Sequence, residues 1–181
     1  MIVLAGGRSE EHEVSLISAR SLLGALTGSK INAKPLVITR QGRWLSFEES
    51  EKALESGKAD TGGESTLRRA VVTEDFDIVF PLLHGPFGED GTIQGMLEFA
   101  GLPYVGSGVL ASALCMDKPL AKDVFSTHEI QQAPWRFTTR REYLEHPKDV
   151  LHRCFELPSP WFVKPANLGS SVGISKVTAR D

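Results

Sequence analysis

The first forty residues alternate between strand and helix patterns, and this alternation limits the possible folds more than any other feature of the chain. Residues 2–5 are apolar and lead into Gly6-Gly7, which predicts a buried strand that ends in a tight turn. From about Glu13, apolar residues recur every three or four positions, as on one face of a helix. Residues 33–39 predict a second strand. A strand, a helix and a strand within about forty residues are typical of a parallel βαβ unit, so we predict an α/β fold.

The following residues extend this sheet. Residues 48–70 are polar and predict a surface helix followed by a linker. Residues 76–83 are almost continuously apolar, which predicts a central strand. A glycine-rich loop begins at His84, and a helix is expected over residues 92–100. We therefore predict a doubly wound parallel-sheet domain over residues 1–106.

The pattern changes near Ser107, where we place the domain boundary. Residues 107–181 predict a smaller α+β module that forms only part of a lobe. The elements predicted after residue 100 are a short strand at 104–105, helices at 110–115, 119–125 and 141–145, a strand at 135–138 and a β-hairpin at 161–177.

Composition excludes several classes of protein. A net charge of −3 over 181 residues offers no basic surface for nucleic acid or an anionic membrane. Cys115 and Cys154 stand singly, which favours buried, reduced thiols over a metal or disulfide motif. The N-terminus lacks the pattern of a leader, and no apolar run is long enough to span a membrane. We predict a cytoplasmic protein.

The predicted C-terminal hairpin carries groups suited to phosphate. Lys164 follows an apolar run, and Gly169, Ser170 and Ser171 form the loop. Glycine allows close approach of the main chain, hydroxyls donate hydrogen bonds, and an ammonium group supplies a positive charge. The alternative is a plain hairpin whose glycine and serines satisfy the turn while Lys164 is solvated. The loop is not a Walker motif, because no Gly-Lys-Ser/Thr sequence ends it.

Two polar groups follow predicted strand ends in the N-terminal domain. Glu10, Glu11 and Glu13 lie between the first strand and its helix, where acidic residues complement the helix dipole. The carboxyl edge of an open α/β sheet also binds ligands, so a carboxylate there is suited to hold an ammonium group. His84 follows another strand end, and its alternative is a structural role. Asp90 precedes a helix and is expected to cap it.

Four segments together carry a recognisable pattern. The segments are residues 6–16 (GGRSEEHEVSL), 84–95 (HGPFGEDGTIQG), 106–118 (GSGVLASALCMDK) and 164–173 (KPANLGSSVG). In sequence and in order they closely resemble the D-alanine–D-alanine ligases of the ATP-grasp superfamily. The likeness spans nearly the whole chain except residues 40–75 and 140–158. It implies an N-terminal substrate domain of the pre-ATP-grasp type, followed by the first lobe of an ATP-grasp domain.

The resemblance also implies a reaction and roles for matching residues. In the family, ATP phosphorylates the carboxylate of one D-alanine, and the amine of a second attacks the acyl phosphate, a step of peptidoglycan precursor synthesis. Glu11 would hold the ammonium of the first D-alanine, and His84 would approach its carboxyl group. Lys118 and Lys164 would contact nucleotide phosphates, and Gly169, Ser170 and Ser171 would cover them. Ser170 would also join the hydrogen bonds that orient Glu11.

Other implications concern what this sequence does not contain. Family members continue into a C-terminal half that supplies the Mg²⁺ ligands, so we assign no metal ligand to this chain and expect the 181 residues alone to be inactive. Alternative readings are a D-alanine–D-lactate or D-alanine–D-serine ligase, and a non-catalytic fragment that binds nucleotide or amino acid. A homodimer formed through the N-terminal domain is a further expectation.

Overall fold

Three parallel strands form the sheet of the N-terminal unit in this computed structural model, which describes residues 1–59 and 76–178. The chain divides into two units, Met1–Met116 and Asp117–Asp181. The elements of the first unit are β1 (Ile2–Gly6), α1 (His12–Leu26), β2 (Lys34–Ile38), α2 (Phe47–Ser56), β3 (Val79–Pro81), α3 (Thr92–Phe99) and α4 (Val109–Met116).

The strand order is β2-β1-β3, and both pairings are parallel. Ile2 lies opposite Lys34 on one side and Val79 on the other. The carboxyl ends of the three strands therefore meet at one edge, as the βαβ pattern predicts. The predicted doubly wound parallel sheet is confirmed.

Alternation along β1 divides the core between the two faces of the sheet. Ile2 and Leu4 pack in one cluster with residues of α3, and Val3 and Ala5 pack in another with residues of α1 and α2. The helix residues involved are Ile93 and Leu97 on the first face, and Leu16, Ala19, Ala53 and Leu54 on the second. A fully buried leucine contributes roughly 1.5–3 kcal/mol, so these layers hold the sheet edge in place.

Two strand predictions in this unit were too long. The strand expected over residues 76–83 is reduced to Val79–Pro81, although hydrogen bonds from Ile2 N to Ile78 O and from Leu82 N to Leu4 O extend its pairing. The other residues of the 76–83 segment lie outside the strand. Their apolar character therefore reflects burial and not a longer run of strand pairing. The expected strand at 104–105 is a single parallel bridge between Tyr104 and Val79. Among the three strands the central one is β1, and β3 has a neighbour on its other side only at Val79, so the predicted central position is met at that one residue.

The second unit contains α5 (Lys118–Thr127), α6 (Arg140–Glu145), α7 (Pro147–Phe155), β4 (Trp161–Val163) and β5 (Ser175–Val177). Strands β4 and β5 pair antiparallel, which confirms the predicted hairpin. The strand predicted at 135–138 was wrong, because these residues have no ladder partner among the described residues. The Trp135 ring lies instead under the Lys122 ammonium, 5.7 Å from it. Helix α7 was not predicted.

Candidate functional site

A glycine turn brings the chain across the carboxyl edge of the sheet. Gly6 ends β1 with φ +84°, and a Cβ atom there would lie 2.2 Å from the carbonyl oxygen of Ile38. Only glycine fits this approach. Gly7 N donates to the same oxygen at 2.8 Å, which fixes the turn against the end of β2. The acidic segment that follows is therefore held at the edge where the strands end.

Buried serines join this segment to the end of β3. Ser15 Oγ accepts from Gly6 N at 2.8 Å and donates to the carbonyl of Leu82. Ser9 Oγ donates to the carbonyl of His84 at 2.6 Å and accepts from Glu11 N at 3.2 Å. Hydrogen bonds between buried groups are costly to break because the separated donor and acceptor would have neither a protein partner nor water. The turn after β1 and the loop after β3 therefore form one connected edge.

Glu11 and the loop that begins at His84 lie in direct contact. A Cβ atom at Gly85 would be 2.3 Å from Glu11 Oε2, so the carboxylate lies against the main chain next to His84. Glu11 is only 8% exposed. The structure thus places the Glu11 carboxylate against the main chain beside His84, within the N-terminal unit.

The other two acidic residues of the segment have different surroundings. Glu10 is exposed. Glu13 lies in the first turn of α1 and pairs with Arg40, whose hydrogen bond holds the pKa of that carboxyl below its usual range. Arg40 also donates to the carbonyl of Ser9 at 3.2 Å. Glu13 therefore supports the turn, and Glu11 is the buried carboxylate of the three.

Carboxylates inside the loop fix its own main chain. Glu89 Oε2 accepts from Gly85 N at 2.7 Å. Asp90 accepts from Phe87 N at 2.9 Å and from Thr92 N at 3.0 Å, one position before the helix N-cap at Gly91. Burial acts to raise the pKa of Asp90, but these hydrogen bonds outweigh it and lower the pKa. Asp90 is therefore not the N-cap that was expected, because that position is Gly91, but its carboxylate still accepts from the first N–H of the helix.

The Asp90→Asn variant is expected to loosen the loop. An amide has one acceptor oxygen and offers N–H groups to the second donor, so one of the two main-chain hydrogen bonds is lost at about 1 kcal/mol. Amide exchange of Phe87 and Thr92 at pH 7 should accelerate about fivefold in the variant. Asp77→Asn, at an exposed position, is the matched control and should change nothing.

The pH dependence of the same experiment has a defined sign. Because the folded-state pKa of Asp90 is lowered, its contribution is present above the ordinary value of 3.8 and is lost as the pH falls through the lower folded-state value. The difference between the unmodified chain and Asp90→Asn should therefore shrink below about pH 4. A difference that stays constant into strong acid would contradict the assignment.

A cavity of about 200 Å³ opens beside this edge. Its lining includes Arg8, Trp44, Leu83, His84 and Phe87. The Arg8 guanidinium lies 5.0 Å from the centre of the Phe87 ring, and Phe87 has φ +68°. Sequence reasoning did not single out Arg8, Ser9 or Phe87. Their places next to Glu11 and His84 in the two motifs were the available signal.

The second unit contains the residues that were predicted to bind phosphate. Ser170 and Ser171 have φ +44° and +63°, and Val172 N donates to Gly169 O at 3.0 Å, so the loop is a tight left-handed turn. Lys118 Nζ donates to the carbonyls of Ala166 and Leu168. Lys118 therefore fixes the segment that leads into the loop.

Lys164 lies directly after β4, where its side chain is exposed and has no hydrogen-bond or ion-pair partner among the residues that the structure describes. An ammonium group has three donors, so Lys118 also retains one beyond its two carbonyl partners. Both lysines thus keep capacity for an anion.

Residues 1–59 and 76–178 contain no group of three or more His, Cys, Asp or Glu side chains that could hold a metal ion. In the same residues, no helix combines the length and apolar character needed to cross a bilayer.

Comparison with known proteins now identifies the fold and the motifs. Residues 1–107 match the family model described as the D-Ala-D-Ala ligase N-terminus, and residues 124–181 match that of the D-Ala-D-Ala ligase C-terminus. The chain belongs to the D-alanine–D-alanine ligase family. The predicted resemblance is thereby confirmed.

Individual members of the ligase family agree with this. The D-alanine–D-alanine ligase of Deinococcus radiodurans is 57% identical over 177 residues, which are 98% of this chain and 52% of that protein. The ligase structure from Coxiella burnetii is 34% identical with a TM-score of 0.77, covering 98% of this chain and 56% of the other. The VanG D-Ala:D-Ser ligase of Enterococcus faecalis is 35% identical with a TM-score of 0.73, covering 99% and 55%. The chain thus spans about half the length of the curated relatives it matches.

Proposed function

We propose that this chain forms the front half of an ATP-dependent ligase that joins two D-alanines through an acyl phosphate, for the synthesis of peptidoglycan precursors. The observation that carries the proposal is the contact between the buried Glu11 carboxylate and the Gly85 main chain beside His84. It gives a negative charge and an imidazole at the carboxyl edge of a parallel sheet, where such folds bind small ligands. The family membership supplies the reaction class.

The amino-acid pocket follows from the charges at this edge. A D-alanine presents an ammonium and a carboxylate on one carbon. The Glu11 carboxylate is suited to the ammonium, because a partly desolvated ion pair is stronger than one in water. The substrate carboxylate is then left for His84, which can donate a hydrogen bond from its ring. These roles of Glu11 and His84 remain predictions for this chain.

The hairpin of the second unit is assigned to the phosphates of ATP. ATP supplies the phosphoryl group that activates the amino-acid carboxylate. Lys164 and Lys118 are suited to offset the repulsion between these two anions. The hydroxyls of Ser170 and Ser171 add donors, and a closed Gly169–Ser171 loop would keep water from the acyl phosphate. The hydrogen bonding of Ser170 that the family resemblance implies for orienting Glu11 stays a prediction.

We assign no Mg²⁺ ligand to residues 1–59 and 76–178, because they offer no ligand cluster. The proposal therefore derives no step through a metal ion. It includes a cytoplasmic location, and a homodimer through the N-terminal domain stays a prediction.

A hybrid ligase tests the proposal directly. In this protein, residues 1–181 replace the matching half of the Deinococcus radiodurans ligase, to which they are 57% identical. With ATP, Mg²⁺ and D-alanine, the hybrid should release phosphate and form D-alanyl-D-alanine in equal amounts. The isolated 181-residue chain should form none. A folded hybrid that binds ATP but never yields a dipeptide or depsipeptide would contradict the function.

The second candidate product is distinguished in the same assay. The VanG D-Ala:D-Ser ligase and the Coxiella burnetii ligase are about equally similar to this chain, whereas the more similar Deinococcus radiodurans protein is a D-alanine–D-alanine ligase. Offering D-alanine together with D-serine or D-lactate to the hybrid ligase identifies its second substrate. We expect D-alanyl-D-alanine as the main product.

The Lys164→Ala variant of the hybrid is expected to bind ATP more weakly. A charge-assisted hydrogen bond contributes about 1.5–3 kcal/mol, so the dissociation constant measured by calorimetry should rise about ten- to 150-fold. Lys176→Ala is the matched control, because Lys176 is an exposed lysine of the same hairpin. Equal affinities of the two variants would exclude Lys164 as a phosphate ligand.

A further inference from the structure

Ser18 contacts the ring of His84 across the N-terminal unit. Ser18 lies in the second turn of α1, and its Oγ is 3.2 Å from His84 Nε2. The two residues are 66 positions apart in the chain, so the fold creates this contact. Both residues are half-buried.

The direction of this hydrogen bond follows from the needs of the serine. A helical serine commonly donates to the carbonyl four residues earlier, but Ser18 has no hydrogen-bond partner other than His84 among the residues described. If the ring donated from Nε2, the Ser18 hydroxyl proton would have no protein acceptor. If Ser18 donates to Nε2, both groups are satisfied. The second arrangement leaves the proton of a neutral ring on Nδ1.

We propose that Ser18 is a positioning residue that donates its hydroxyl to Nε2 of His84 and thereby holds the imidazole in the Nδ1–H tautomer. Ser9 acts on the other end of the same residue, because its hydroxyl donates to the His84 carbonyl at 2.6 Å. The main chain and the ring of His84 are therefore both held by the segment that also carries Glu11.

The chemical consequence rests on the proposed function. A carboxylate accepts hydrogen bonds only, so a ring nitrogen that faces it must carry a proton. Nδ1 of His84 has no hydrogen-bond partner in the described residues, and with Nε2 engaged by Ser18 it is the donor that the ring offers to a ligand. The opposite tautomer would present a lone pair and repel the substrate carboxylate. Ser18 thus selects for a carboxylate ligand without touching it.

Nitrogen NMR of the 181-residue chain tests the tautomer independently of activity. The chain is labelled with ¹⁵N-histidine and studied in alkaline buffer so that the neutral ring is observed, and His84→Gln identifies the His84 signals. We expect a protonated Nδ1 and an unprotonated Nε2. Ser18→Ala should shift the ring towards the Nε2–H form that neutral imidazole prefers in water, and Ser18→Thr should restore the Nδ1–H form.

Ser21→Ala is the control, because Ser21 is an exposed serine of the same helix. It should leave the His84 signals unchanged. A protonated Nε2 in the unmodified chain, or an unchanged tautomer in Ser18→Ala, would overturn the proposal.

Kinetics of the hybrid ligase give the second readout. Ser18→Ala should raise KM for D-alanine about two- to tenfold, since one uncharged hydrogen bond is affected, and leave KM for ATP unchanged. An equal rise of both KM values would indicate general loosening and would overturn the positioning role. An unmutated hybrid with no ligase activity would contradict the proposed function, whereas the NMR result alone decides the tautomer.

Discussion

The Gly85→Ala variant is expected to lose the proposed amino-acid pocket while the rest of the N-terminal sheet stays intact. The added methyl group would lie 2.3 Å from Glu11 Oε2, far inside contact distance. Gly85 also has φ +69°, a conformation that costs an alanine roughly 1–2 kcal/mol. Either the carboxylate or the loop must therefore move.

The expected loss of stability combines the clash with Glu11 and the unfavourable backbone conformation. Overpacking a tight site typically costs about 1–3 kcal/mol, so the unfolding free energy should fall by roughly 2–5 kcal/mol in total. In the hybrid ligase, kcat/KM for D-alanine should fall by about 100-fold or more, because displacement of about 1 Å in a reacting site has effects of this size. Chemical denaturation and steady-state kinetics measure the two effects.

Gly24→Ala is the matched control for this substitution. Gly24 lies within α1, and a Cβ atom there would meet nothing within 4 Å. Alanine in a helix is favoured over glycine by about 0.5–1 kcal/mol, so this variant should be slightly more stable and fully active. If Gly85→Ala behaved like Gly24→Ala, the contact between Gly85 and Glu11 would be incorrect.

Sequence patterns predicted the parallel sheet and its helices well, because these elements depend on where buried apolar residues recur along the chain. The continuous apolar run of residues 2–5 predicts a strand buried on both faces, and the helical spacing after Glu13 shows which face of the helix is buried. The parallel order then places strand ends at one edge, so Glu11 and His84 could be expected to meet. Glu11 and His84 are far apart in the chain, so this expectation came from the parallel fold and not from their positions in the sequence.

The contacts that build the site could not be read from periodicity. Ser9 lies before α1 and Ser18 lies within it, and both look like ordinary polar residues until the folded chain brings them to His84. The role of Gly85 was equally hidden, because a glycine in a loop does not disclose which atom occupies the space of its missing side chain. These contacts depend on atomic positions of less than 1 Å precision, which sequence spacing does not specify.

The second unit shows a different limit. The apolar and β-branched content near Trp135 resembles a strand, but a strand also needs a partner, and none is present in the described residues. Helix α7 was missed because it begins directly at Pro147, after the end of α6, so the two helices resembled one short helix and a loop. Its buried Val150 and the proline in its first turn were the available signals.

The most direct test of the amino-acid site is a comparison of Glu11→Gln with Glu10→Gln in the hybrid ligase. The two residues are adjacent and carry the same charge, but Glu11 is buried against Gly85 and Glu10 is exposed. Loss of a desolvated charge partner costs about 2–5 kcal/mol, so kcat/KM for D-alanine should fall about 30- to several-thousand-fold in Glu11→Gln. KM for ATP should stay the same, and Glu10→Gln should behave as the unmodified hybrid. If Glu11→Gln used D-alanine as well as Glu10→Gln does, the carboxylate would not recognise the amino acid, and the proposed site would be wrong.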